Sequence, residues 1–486
     1  HFEARSDTSY LSPGDDVNLE VELTLRAPVQ VRATRMEATL FDSNRWPKDI
    51  SLKNTGNLDT ALKENSPSIT SLRFPLPEEA PVTQPFWLRE EPGTGIYHFK
   101  NTRLLELMSI PPPMAITANL EVEGYPIQLT TPAIEVVSDP VKGEVHHQVN
   151  IRPKLVLEPD AGVLLFEDNR AKPVKVSITA NTAAISGKLV ADAPKGWSVD
   201  IAEPQVALAE AGSVAERTVL ITPPGKAAEG SIFFKVISTS GNTYDQRSNL
   251  IDYEHVGRLA LLAKAETKLT RLDLHRAGNH IACVEGVGDP VPETLMRIGY
   301  TIDRIQVEDI DHERLKQYDS VILGPRVFDA LTGLDKKFDE LLAYVEAGGT
   351  LVCQYNTTAS RTKSEFRTPY PLRLSRDRVS EENAEMRILK PDNPVFNRPN
   401  KIVPSDFENW IQERGLYFAD SWDEHYEAVI SANDRGEPPR DGGLLIAPYG
   451  KGWYVYTGLS FFRQLPEGNP GAIKLFVNLI SLGHGN

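Results

Sequence analysis

The chain has 486 residues, more than a single hydrophobic core sustains, which points to about three domains. Its formal net charge of -15 argues against nucleic acid as a partner, because phosphates call for a basic face. No apolar run approaches the roughly 18 residues that a membrane-spanning helix needs, so no membrane span is expected.

The first residues, HFEARSD, read as mid-chain sequence, and the expectation is a fragment or a processed form. Residues 1–142 then read as an all-β sandwich. After the turn Ser12 to Asp16, Val17, Leu19, Val21, Leu23 and Leu25 alternate with polar residues, the pattern of a half-buried strand. Similar short runs recur near Arg73, Ile116 and Tyr125, punctuated by proline and glycine. The polar stretch from Asn44 to Ser66 reads as a loop. His146 and His147 stand at a junction. Adjacent strand residues point to opposite faces, which disfavours one metal taking both.

Residues 143–254 read as a second β-sandwich. Val174, Val176 and Ile178 alternate with Lys175 and Ser177, and the turn Pro194 to Gly196 is followed by a large anchor, Trp197. The PKGWSV turn and the late EGSIFFKVIS strand resemble the NEW3-type immunoglobulin-like module that accompanies many carbohydrate-active enzymes.

Over residues 255–486 strands and helices alternate. HIACVE from His280, Tyr300 to Ile305, DSVILG from Asp319 and Thr350 to Tyr355 read as strands. Phe338, Leu341, Leu342 and Val345 fall on one face of a helix between Leu334 and Ala347. Leu444 to Ala447 and Trp453 to Thr457 read as a hairpin, and a helix from Ala472 to Leu482 closes the chain. This order predicts an α/β doubly wound, flavodoxin-like sheet. Gly286-Val287-Gly288 follows a strand, but Val291 stands where G-x-G-x-x-G requires its last glycine, so a dinucleotide site is rejected. Both cysteines, Cys283 and Cys353, sit inside apolar runs and read as buried hydrophobes.

The final domain resembles the class I glutamine amidotransferase-like superfold. Active members carry a nucleophilic cysteine on a turn after a central strand; here TLVCQY puts Cys353 inside the strand, which implies a catalytically silent relative. A wider resemblance rests on CQYNTT, PYPLRLSRDRVSEENA, FENWIQERGLYF and DGGLLIAPYGKGWYVYTGLSFFRQLPEG, with DPVKGEV nearer the start. These are similar to the region beyond the catalytic domain in long bacterial PIG-L (LmbE-like) deacetylases. The resemblance implies a separate upstream domain that performs zinc-dependent N-deacetylation of N-acetylglucosamine-type substrates. Its His-Pro-Asp-Asp motif is absent from this sequence, so zinc is expected only in that upstream domain and no cofactor in this segment. A periplasmic or extracellular location is implied by the resemblance alone.

The leading expectation is therefore an accessory region that holds a glycan or amino-sugar ligand, or positions the upstream deacetylase domain. Sugar sites combine flat aromatic faces with planar polar groups. Ligands of α/β sheets bind beyond the carboxyl ends of the strands. The candidate ligand-binding residues are Asn356, Arg376, Asp377, Arg378, Glu408, Trp410 and Arg414; Phe407, Trp410, Ile411 and Arg414 stand at helical spacing. Two alternatives stay open. One is a hydrolase using carboxylates such as Asp377, Glu381, Glu382, Glu408 and Glu413. The other is a structural or oligomerisation module.

Overall fold

A computed structural model describes residues 1–486 except 47, 55–58, 94, 108–109, 254, 359–361 and 485–486. Alternation near the start of the chain produces the strand Asp16–Thr24, which buries Val17, Leu19, Val21 and Leu23 on one face. It pairs antiparallel with Phe2–Ser6 and Pro67–Pro75. Val31–Leu40 and Met114–Val122 build an opposing layer. The long strand Tyr125–Asp139 serves both layers, pairing with Met114–Val122 and, near Ala133, with Phe2–Ser6. Leu19, Met36 and Ile116 meet in the core between them.

The polar stretch from Asn44 to Ser66 is not wholly a loop: Ile50–Asn54 and Thr60–Ala61 pair along Val31–Leu40. An edge strand buries little, so its polarity hides it from periodicity.

A second sandwich packs a four-stranded sheet on a six-stranded one. Val174, Val176 and Ile178 are fully buried between them, and Trp197 meets Phe166 edge-on with centroids 5.2 Å apart. Its limits differ from those drawn at 142 and 254. Gly143–Gln148 pairs with Tyr125–Asp139 and belongs to the first sandwich. Glu266–Arg271 lies inside the six-stranded sheet, between Val163–Phe166 and Ala228–Ser238. The apolar run Val256–Lys264 forms a hairpin with Gln246–Tyr253. An apolar run records burial but not which sheet provides it.

The last region contains a seven-stranded sheet. Thr301–Arg304, His280–Val284, Ser320–Leu323, Thr350–Gln354 and Gly452–Thr457 run parallel in that spatial order, and Leu444–Tyr449 continues antiparallel. Both faces are covered. Ile281, Cys283, Ile322, Val352 and Val455 point into one apolar cluster with the helix Pro470–Ile480. Ala282, Val321, Leu351, Cys353 and Tyr454 point into another with the helix Leu334–Glu346. Leu372–Val379 and Gly415–Trp422 form a separate antiparallel ribbon that contains the arginine-rich RDR stretch. Leu165 and Leu272 of the second sandwich join the first of these clusters, and Thr270 Oγ1 donates to the carbonyl of Gly468 at 3.2 Å. The molecule is thus mostly β, built of several sheets in sandwich-like domains.

The helical spacing of Phe407, Trp410, Ile411 and Arg414 does not produce a helix. Only a short 3-10 turn, Pro404–Phe407, forms there. Asn409 and Gln412 follow with φ of 57° and 62°, in the left-handed region that ends a right-handed helix. Phe407 and Trp410 still reach the core, carried by a folded loop.

Candidate functional site at the strand ends

Three neighbouring parallel strands, Ser320–Leu323, Thr350–Gln354 and Gly452–Thr457, end on one side of the sheet. Arg326, Tyr355, Phe462 and Arg463 follow directly from those ends. The segment from Arg414 to Tyr417 crosses above the last of them: Leu416 N donates to Gly458 O at 2.8 Å and Ser460 N to Arg414 O at 3.1 Å. This approach requires glycine. A Cβ on Gly415 would lie 2.4 Å from the carbonyl oxygen of Gly458 and 2.5 Å from the Phe418 ring.

The crossing lays Tyr417 parallel to Tyr355, with centroids 5.9 Å apart and planes within 3°. Phe462 tilts against Tyr355 at 5.4 Å. Tyr417 has φ 52° and Arg326 has φ 57°, conformations costly for large side chains. Backbone strain of this kind gathers where structure is over-determined, and functional sites are such places. The Tyr456 hydroxyl donates to the Tyr417 carbonyl at 2.6 Å and holds the strained residue.

Charges surround the rings. Glu413 is 7% exposed and accepts from Arg378 Nη2 and Arg463 Nε, each at 3.1 Å. The Arg463 guanidinium also lies over the Phe462 ring, 4.9 Å from its centroid. Arg326 Nε donates to Asp329 at 3.1 Å. Burial raises the Tyr355 phenol above its ordinary pKa; Arg326 and Arg463 oppose the shift and Glu413 adds to it. On the far side, Asp289 follows the His280–Val284 strand. Gly286 admits that loop because a Cβ there would sit 1.9 Å from Pro325 O, so this glycine serves loop packing. Burial pushes Asp289 up to about 6. Gln354 Nε2 lies 3.4 Å from its carboxylate, and the buried Gln354 Oε1 has no hydrogen-bond partner among the described residues.

The residues singled out from sequence scatter around this arrangement. Asn356 is fully buried: its Oδ1 accepts from Phe328 N and its Nδ2 donates to Gln354 O, both at 3.0 Å, which fixes the turn after the strand. Trp410 is 2% exposed, donates Nε1 to Asp406 O at 3.1 Å and packs between Phe407 and Phe461. Arg414 is buried beside it, bonded to the carbonyls of Ala384 and Phe407, and burial pulls its pKa down to about 10. Core packing thus occupies all three. Asp377 pairs with Arg440 at 2.5 Å. Arg376 and Glu408 are exposed. Of the seven, Arg378 alone joins the aromatic pair, through Glu413. Arg326, Phe462 and Arg463 went unnoticed as ligand residues, and Tyr355 figured only as the end of a strand. The signal that finds them is position: each follows the carboxyl end of an apolar strand run.

Other chemistry-bearing groups lie apart from this site. Cys353 is fully buried and its thiol is pushed up to about 12 by burial. Asp311, His312 and Glu340 come together, with His312 Nδ1 2.6 Å from Glu340. Their contacts serve the fold: Asp311 caps Glu313 N and Arg314 N, and Glu340 accepts from His312 N. His146 and His147 both border a cavity of about 450 Å³ beside the hairpin residues Arg258 and Leu259. Among the described residues lining it there is no carboxylate or cysteine to complete a metal set.

Comparison with known proteins adds little. No protein-family model matches the chain, and no curated protein matches it. Among solved structures, it is similar to Escherichia coli alpha-2-macroglobulin activated by porcine elastase, with 9% identity over 55% of this chain and 22% of that one and a TM-score of 0.20. A family 123 glycoside hydrolase from Clostridium perfringens gives 10% identity over 41% of this chain and 48% of that one, with a TM-score of 0.17. The sporulation control protein Spo0M from Bacillus subtilis gives 8% identity over 45% and 88%, also with a TM-score of 0.17. Scores this low carry no argument about fold or function.

Proposed function

We propose that this chain is the accessory region of a zinc-dependent, N-acetylglucosamine-type deacetylase of the PIG-L family, and that its last domain holds a glycan at the strand ends. In this reading the catalytic domain and its zinc lie upstream, the protein works in the periplasm or outside the cell, and no residue here binds the metal. The last domain is then a silent relative of the class I glutamine amidotransferase-like fold. Two features support that assignment: the parallel strand order, in which the second strand in sequence lies at the edge beside the first, and helices on both faces.

The observation that carries the binding role is the half-exposed Tyr417 ring, held in strained backbone parallel to the buried Tyr355 and flanked by guanidiniums fixed on buried carboxylates. A sugar ring stacks on such a face while its hydroxyls meet the planar polar groups. The buried Cys353 favours binding over nucleophilic chemistry. The carboxylate hydrolase fares less well. Glu413 is engaged by two arginines, Asp377 by Arg440, and Glu382 accepts from Gln412 N at 2.6 Å.

The test is calorimetric titration with N-acetylglucosamine oligomers, run beside acetate-release assays of this chain and of an upstream-extended chain, each with and without zinc. Binding is expected for this chain, and acetate only from the extended one. Tyr417→Asn removes the ring while tolerating the left-handed backbone, and binding should be lost. Acetate released by this chain alone would overturn the accessory reading; absence of any oligomer binding would overturn the glycan site.

A further inference from the structure

We infer that the strand-end site selects an anionic sugar, one bearing a carboxylate or a sulfate ester, over a neutral one; the inference rests on the glycan-binding reading above. The chain as a whole carries a net charge of -15, yet Arg326 and Arg463 lie close enough to Tyr355 to act on its phenol, and Arg378 shares Glu413 with Arg463. Each is anchored by one nitrogen to a carboxylate that is itself mostly buried. Arg463 uses Nε and Arg378 uses Nη2 on Glu413, whose side chain is 9% exposed. Arg326 uses Nε on Asp329, whose side chain is 7% exposed.

A guanidinium has five N–H donors in a rigid fork. One such contact leaves most of the fork uncommitted while fixing its direction. The three side chains are 44%, 58% and 34% exposed. Arg463 is further held by the Phe462 ring beneath it. A fork whose geometry is set beforehand loses little entropy when it takes an oxyanion, and bidentate contact to a carboxylate or sulfate follows from its shape. The buried carboxylates hold the forks in place, as supporting residues do in a preorganised site. Neutral hydroxyls need no such concentration of guanidiniums. In a strongly acidic chain such a local arrangement offsets general repulsion of an anionic glycan.

The experiment titrates three short oligomers into the intact chain at two ionic strengths: neutral N-acetylglucosamine, unsulfated glucuronate-containing and sulfated neutral. At least one anionic oligomer should bind roughly tenfold or more tighter than the neutral one, the worth of one charged hydrogen-bond set. That advantage should shrink as salt rises. Arg463→Gln should collapse the ratio of anionic to neutral affinity, with Arg463→Lys keeping the charge but losing the fork and so falling between. Thermal melts confirm that the variants fold, and Arg326→Gln provides an independent position if one variant does not. Preference for the glucuronate oligomer alone assigns a carboxylate; preference for the sulfated one alone assigns a sulfate ester. Equal affinity for neutral and anionic oligomers overturns the inference and leaves the glycan site standing. A preference that survives in both Arg463→Gln and Arg326→Gln overturns it too, and no binding of any oligomer removes the site itself.

Discussion

Arg414 and Arg463 belong to the same domain, and their side chains serve opposite ends. Arg414 points inward over Trp410, spends its donors on the backbone carbonyls of Ala384 and Phe407, and is depressed in pKa by burial. Arg463 points along the rim, rests on Phe462 and shares Glu413 with Arg378. Both are arginines beside aromatic rings, the feature that marks carbohydrate sites in sequence. One ties a loop to the core, and the other leaves donors for a ligand. An arginine beside an aromatic ring is therefore no sign of a site until burial is known.

The sharpest way to break this contrast is to truncate the inward cluster. Trp410→Ala should cost about 3–5 kcal/mol of stability, as expected for a large aromatic emptied from a core. Denaturant melts would measure it, and a cost under about 1 kcal/mol would mean that Trp410 is not the core residue described.

A middle-sized effect should come from Asp289, which lies between core and rim. Its carboxyl is raised from 3.8 to about 6 in the folded protein, by burial above all. At low pH the group is protonated in both folded and unfolded chains and costs nothing. As pH climbs from near 4 through about 6, the folded state must ionise a buried carboxyl, and stability falls. Asp289→Asn should remove that fall and stabilise the protein at pH 7 by roughly 1–3 kcal/mol. Paired thermal melts of the two proteins at pH 4 and 7 read it. A difference independent of pH would show that the carboxyl is not buried as described.

The smallest effect belongs to the rim. Arg378, whose side chain is 58% exposed, should tolerate Gln with less than about 1 kcal/mol lost, because its guanidinium is largely solvated and Arg463 still pairs with Glu413. The two arginine environments would then differ in the way the comparison requires: substitution in the inward cluster costs several kcal/mol, and substitution at the rim costs little.

Much of the fold was legible in advance. The alternation at Val17 to Leu23 and at Val174 to Ile178, the apolar runs at His280, Ser320 and Thr350, and the stripe Phe338, Leu341 and Val345 each appear as the expected element. Their spacing reports which face is buried, a local property of the chain. The edge strands near Ile50 and Thr60 escaped, since they bury too little to pattern. The helical spacing at Phe407 to Arg414 misled, since spacing says nothing of a backbone turned left-handed at Asn409 and Gln412.

The site was less legible. Arg326, Tyr355, Glu413, Tyr417, Phe462 and Arg463 come from four separate stretches, and only sheet order and the glycine-lined crossing at Gly415 bring them together. What the sequence determined by itself was the periodicity of its strands and helices and the burial of Cys353, because these depend on neighbours along the chain. What tertiary structure alone decided was which strands share a sheet, which arginines face inward and which polar residues meet. Those outcomes depend on contacts between residues far apart in sequence, and the packing that selects them has no local signature.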